Sequence, residues 1–153
     1  FVIKVLIIFF LFICDIISKQ WVFYSIDLNN FIPITFFLDL AHIHNFGISF
    51  GLFSGMISPW FLIFIGFFVT GIIFYMMMQA KNKMEKIGLL IIIAGALSNI
   101  FDRAMNGYVI DFIYLHYKDF YWPAFNFADI YISIGLFIVV LKLLKDLYKR
   151  LIK

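Results

Sequence analysis

The chain has 153 residues, 65% of them hydrophobic and 14% charged, with a net charge of +3 and a mean hydropathy of +1.04. A soluble domain averages about 25% charged residues, so the composition excludes an ordinary water-soluble globule and leaves room for one compact membrane domain over residues 1–153. The single Cys14 excludes an internal disulfide and a CxxC redox pair, and the basic residues form no soluble patch that would hold nucleic acid.

Four apolar spans are predicted, at about 1–24, 59–78, 87–104 and 128–144, each near the ~20 residues needed to cross the hydrocarbon core. The first lacks a small-x-small cleavage site and runs unbroken into Asp15 and Lys19, so it reads as a retained helix. Phe12 and Ile13 are too bulky for Leu11-Phe12-Ile13-Cys14 to be a lipobox. The start at Phe1 rather than Met leads us to expect a few native residues ahead of it.

A short charged turn, Lys81 to Lys86, joins the second and third spans, whereas the other connections, roughly 25–58 and 105–127, are long and aromatic. Within them Ile34–Leu40 and Val109–Leu115 are rich in β-branched and aromatic residues with some alternation, which predicts a small sheet at the membrane surface. With both termini on the side of the charged turn, that side holds Lys4, Lys81, Lys83, Lys86, Lys142, Lys145, Lys149, Arg150 and Lys153, nine of the twelve basic residues. Basic residues in short loops stay cytoplasmic, so the turn and both termini are expected in the cytoplasm. Seven of the nine acids then lie outside, namely Asp15, Asp27, Asp39, Asp102, Asp111, Asp119 and Asp129. Trp21, Tyr24, Trp60, Tyr121 and Trp122 fit the outer aromatic belt.

Several of these residues could carry chemistry. Asp15 and Lys19, at i and i+4, read first as an ion pair that lowers the cost of two charges near lipid. Asn45-Phe46-Gly47 reads as a turn, or as an amide that hydrogen-bonds an extended peptide. The small residues of Ala94-Gly95-Ala96 allow close helix approach, while Asn99 and Arg103 share a face one turn apart. Asp102 and Arg103 are costly beside an apolar span unless paired or near water, and the guanidinium fork of Arg103 suits an anchor on carbonyls or a carboxylate.

Asp111 and Asp129 sit among apolar neighbours, and partial desolvation raises a carboxyl pKa. If they converge, both cannot ionise at close range, and one becomes the base toward water while the other is the acid. Alternatively each caps a helix or pairs with a Lys or Arg. The His42-x-His44 pair and His116 make a metal site conceivable, but there is no HExxH, and neither a GxSxG element nor a phosphate-binding glycine loop is present.

Taken together, Asp15-x-x-Ser18-Lys19, Asn45-x-Gly47-x-Ser49-Phe50, Gly95-Ala96-Leu97-x-Asn99-x-x-Asp102-Arg103, Val109-x-Asp111-Phe112 and Pro123-x-Phe125-Asn126-x-Ala128-Asp129 resemble the lipoprotein signal peptidase (signal peptidase II) family, in its order and over essentially the whole chain. The resemblance implies an all-α integral membrane protein of four transmembrane helices, with a small extracytoplasmic β-cradle and a loop over the site. It implies an aspartic endopeptidase of the bacterial cytoplasmic membrane, without metal or cofactor, acting on diacylglyceryl-modified prolipoproteins and cleaving before the lipidated cysteine. Asp111 and Asp129 would be the catalytic dyad. Asn45, Asn99, Arg103 and Asn126 would position substrate and dyad, and Asp15, Lys19 and Asp102 would support the site. Ser49 and Ser98 depart from the Ala and Gly usual in the family, and as small residues both are expected to preserve close packing. Lipidated precursors and membrane lipids are the expected partners of a monomer. The rival reading, a small four-helix proton-coupled transporter, predicts short loops on both faces and an acid near mid-span.

Overall fold

The computed structural model describes residues 2–48 and 56–152. The chain order is α1 (Val2–Ser25), β1 (Phe31–Pro33), β2 (Leu38–Asn45), α2 (Pro59–Gln79), α3 (Lys83–Asn106), β3 (Val109–Tyr117), β4 (Phe120–Tyr121) and α4 (Phe127–Leu151). Among the described residues, α2, α3 and α4 are long and apolar enough to cross a membrane. α1 is 24 residues long and buries Asp15, Lys19 and Val22 while exposing Val5, Leu6, Phe9 and Phe10. That distribution turns its charges toward protein and its apolar side outward.

The helix ends follow local chemistry. Pro59 starts α2 at a position where a missing N–H costs nothing. Asn82 caps α3 by accepting from the backbone N–H of Met84 at 2.8 Å. This cap draws Lys83–Lys86 into the helix, so the charged turn is shorter than the sequence suggested. α3 ends at Gly107, whose φ of +81° is the left-handed conformation that glycine adopts freely. α4 runs past the predicted end near residue 144, because Lys145–Leu151 continues the helix with polar residues.

α3 and α4 approach more closely than side chains would permit. A Cβ on Gly88 would sit 2.8 Å from the Gly135 carbonyl oxygen, and one on Gly135 would sit 2.5 Å from that of Gly88. A Cβ on Gly95 would collide with the Ala128 carbonyl oxygen. The small residues are thus the condition for bringing Asn99, one turn beyond Gly95, against the first turn of α4.

The four strands form one antiparallel sheet in the order β1-β2-β3-β4. The expected strand at 34–40 is split. Pro33 ends β1, and the N–H groups of Ile34 and Thr35 both donate to the Leu38 carbonyl at 3.0 Å, closing a hairpin turn before β2 resumes. A bulge in β2 between Leu40 and Ile43 places two residues, Ala41 and His42, opposite Phe112. The extra residue reverses the alternation of β2, so Asp39 and Asn45 do not share a face. Ile110 and Phe112 of β3 pack with Val22 of α1 and with Ile26 just after it. Asp111, between them, points the other way.

Candidate active site

Three parts of the fold bring the predicted residues together: β2 and β3 of the sheet, the C-terminal end of α3, and the start of α4. Asn45, Asn99, Arg103, Asp111, Asn126 and Asp129 line one cavity of about 330 Å³, whose remaining wall is apolar and includes Leu62, Ile65 and Val69 of α2. Asp129 also borders a second cavity of about 480 Å³ beside Trp122, Phe125 and Ser133.

Every oxygen of the two carboxyls accepts an N–H. Asp111 Oδ1 accepts from Asn126 Nδ2 at 2.6 Å, and its Oδ2 accepts from Asn45 Nδ2 at 2.9 Å. Asp129 Oδ1 accepts from Asn99 Nδ2 at 2.9 Å, and its Oδ2 from the backbone N–H of Asn126 at 3.2 Å. Asn126 Oδ1 in turn accepts from the Asp129 N–H at 3.0 Å, completing a capping box at the start of α4. Asp129 therefore does cap a helix, but this uses one oxygen and leaves the other to Asn99. Asp111 has amide partners and forms no ion pair with a Lys or Arg among the described residues.

Asp111 is buried, and burial together with the nearby Asp129 carboxyl raises its pKa to about 7. The amide bonds from Asn45 and Asn126 oppose that rise without cancelling it. At neutral pH this carboxyl is thus poised to hold or release a proton.

Arg103 anchors backbone rather than a carboxylate. Its Nη2 donates to the Gly47 carbonyl at 2.6 Å and its Nη1 to the Asn99 carbonyl at 3.2 Å. The loop after β2 is thereby tied to α3, and Asn45 is oriented within it, since its Oδ1 accepts from the Gly47 N–H at 2.9 Å. Asn45 thus shapes a turn, and its Nδ2 donates to Asp111 and, at 3.3 Å, to the Ile48 carbonyl. Ser49 lies outside the described residues.

A second polar cluster lies behind the first. Lys19 and Asp15, both fully buried, pair at 2.6 Å, and Lys19 also reaches Asp102 at 3.0 Å. Asp15 accepts further from the Ala128 N–H at 2.8 Å and from the Ser98 hydroxyl at 2.6 Å. Ser98 therefore does more than preserve packing, because a glycine has no donor to offer Asp15.

The histidines do not converge on one site. His42 Nδ1 donates to the Ile26 carbonyl at 2.7 Å, and its Nε2 lies 3.0 Å from His44 Nε2. His116 is apart, 3.1 Å from Asp39. His44 stacks on Tyr108 with centroids 3.6 Å apart, and burial, then neighbouring His42, lowers its pKa.

The sequence profile of the signal peptidase (SPase) II family matches residues 7–145. The chain belongs to the signal peptidase II family. A lipoprotein signal peptidase of Thermodesulfovibrio yellowstonii is 42% identical over 138 residues, covering 90% of this chain and 92% of that one. The corresponding protein of Pseudoalteromonas atlantica is 35% identical over 139 residues, covering 88% and 85%. Among solved structures, a bacterial membrane enzyme obtained by the in meso method at 2.3 Å superposes with a TM-score of 0.85 at 27% identity, covering 94% of this chain and 88% of that one. A second, at 1.9 Å, gives a TM-score of 0.82. Family membership makes the chain a protease with its helices embedded in a membrane, and leaves the transporter reading without support.

Proposed function

We propose that the protein is an aspartic endopeptidase that removes signal peptides from diacylglyceryl-modified prolipoproteins, cutting before the lipidated cysteine. The observation that carries the reading is the convergence of Asp111 and Asp129 on one cavity, each held by N–H donors from Asn45, Asn99 and Asn126. Two buried carboxyls that sense one another share one proton, and the raised pKa of Asp111 makes it the proton holder.

The chemistry then runs in two stages, each with two proton transfers. Asp129 takes a proton from a water in the cavity as the water oxygen bonds to the scissile carbonyl carbon. Asp111 gives its proton to the carbonyl oxygen, forming a neutral gem-diol. When the C–N bond breaks, the proton on Asp129 goes to the leaving amine, and a diol hydroxyl returns its proton to Asp111. The signal peptide leaves with a new carboxyl group and the mature lipoprotein with a free amine at its cysteine. The apolar wall formed by Leu62, Ile65 and Val69 suits a substrate presented from within the membrane.

The same reading makes α1 a fourth span. At about 1.5 Å per residue a helix of this length covers the hydrocarbon core, and its charges face the bundle rather than lipid. Four spans put the sheet and the dyad on the face opposite the lysine-rich turn, hence outside the cytoplasmic membrane of a bacterium, with both termini inside. One four-helix domain that contains every site residue works as a monomer among membrane lipids.

Replacing Asp111 or Asp129 by Asn tests the assignment. Cleavage of a lipidated precursor by either variant is expected to fall by at least about a thousandfold, the scale at which catalytic carboxylates act. Wild-type cleavage by either one would defeat the dyad, and equal processing of an unlipidated precursor would defeat the substrate assignment.

A further inference from the structure

We infer that Lys19 is a positioning residue for this reaction, acting through the side-chain amide of Asn99 to keep an N–H aimed at Asp129. The inference rests on the dyad reading. An Asn side chain has two ends of nearly equal size, an acceptor oxygen and a donor NH₂. Were Asn99 turned over, its oxygen would face Asp129 and two acceptors would meet. The contact could then be satisfied only by a proton lodged on Asp129, and the base that activates water would be lost.

Lys19 blocks that turn from the far side of Asn99. An ammonium group has three donors and no acceptor. All three are committed: to Asp15 Oδ2 at 2.6 Å, to Asp102 Oδ2 at 3.0 Å and to Asn99 Oδ1 at 2.9 Å. A reversed Asn99 would press its NH₂ against the ammonium. With Oδ1 held by Lys19, Nδ2 is left to donate to Asp129 Oδ1 at 2.9 Å.

The cation is itself fixed. Asp15, its closest partner, is tied to α3 through Ser98 and to α4 through the N–H of Ala128, the residue before Asp129. Asp102 accepts from the Ile110 N–H at 3.4 Å, the residue before Asp111. Lys19 is fully buried, and of its three hydrogen bonds the one to Asn99 is the one that leads to a side chain donating directly to a dyad carboxyl. Neutralising Asp15 and Asp102 explains a buried lysine. It does not require the third bond, to an amide whose other end holds a catalytic carboxyl.

A double-mutant cycle on Lys19 and Asn99 tests the route. Lys19→Met is expected to lower kcat on a lipidated precursor about 10- to 100-fold, the usual effect of removing a group that orients a reacting one, with KM changed less than about threefold. Asn99→Ala should do the same. The double variant should be no slower than the slower single one, because both remove the same link. Multiplied effects, or a Lys19→Met enzyme with wild-type kcat, would overturn the inference. If the unpaired acids prevent Lys19→Met from accumulating, the triple variant K19M/D15N/D102N removes the whole buried charge set while keeping side-chain shapes. It should show the same loss of kcat with a folded thermal transition, and wild-type turnover by it would equally overturn the inference. Asp111→Asn assayed alongside separates the two questions. If it is active, the dyad reading fails; if it is inactive while Lys19→Met turns over normally, only the role of Lys19 fails.

Discussion

The molecule contains two pairs of aspartates on the same side of the helix bundle, and their surroundings could hardly differ more. Asp15 and Asp102 share a lysine, and both are buried with it. Asp111 and Asp129 are surrounded by neutral amides and share a cavity. A cation in contact offsets part of the cost of charging a buried carboxylate, and Lys19 does this for both Asp15 and Asp102. A carboxylate that has only amide donors and a second carboxyl nearby is left close to the balance between its two forms. The residue type is the same in both pairs and the counter-ion differs, which is why the proposed acid–base chemistry is assigned to Asp111 and Asp129.

Substitution should break this contrast in graded steps. The dyad variants Asp111→Asn and Asp129→Asn carry the largest expected effect, on cleavage and not on folding. Asp15→Ala should reverse that ranking. It removes the closest partner of Lys19 and leaves the Ser98 hydroxyl and the Ala128 N–H without an acceptor. Breaking such a buried pair costs about 3–5 kcal/mol, measurable as a lowered midpoint in thermal unfolding of the purified protein. An unchanged midpoint with no activity would move Asp15 from support into chemistry.

A smaller step is Gly95→Ala. The new methyl would meet the Ala128 carbonyl and push α4 away from α3. Overpacking of this kind costs about 1–3 kcal/mol. The shift would also separate Asn99 from Asp129, so kcat should fall along with the melting midpoint. A variant that loses stability but keeps full kcat would show that the dyad tolerates a looser helix pair.

Much of this contrast was legible before the fold was known. The i, i+4 spacing of Asp15 and Lys19 already signals an ion pair, and apolar neighbours already mark Asp111 and Asp129 as desolvated. The span positions follow from hydropathy to within a few residues at most ends. The misses have local causes. Pro33 and the turn that follows it divide a segment whose composition reads as one strand. The β2 bulge reverses an alternation that a sequence pattern takes as continuous, so the meeting of Asn45 with Asp111 rested on family resemblance. The hydroxyl of Ser98 and the third bond of Lys19 join residues 83 and 80 positions apart. Contacts at that range depend on how closely α1, α3 and α4 pack, which no short window reveals.

The central claim is that Asp111 holds the proton the dyad shares, and the pH dependence of kcat/KM for a lipidated precursor tests it most directly. Burial and the Asp129 carboxyl raise Asp111 to about 7, so the proton is present below that pH and is lost as the pH climbs through it. Activity should therefore decline above about pH 7, approaching tenfold per pH unit once the group is mostly ionised. A rate that stays level from about pH 6 to about pH 9 would contradict the account.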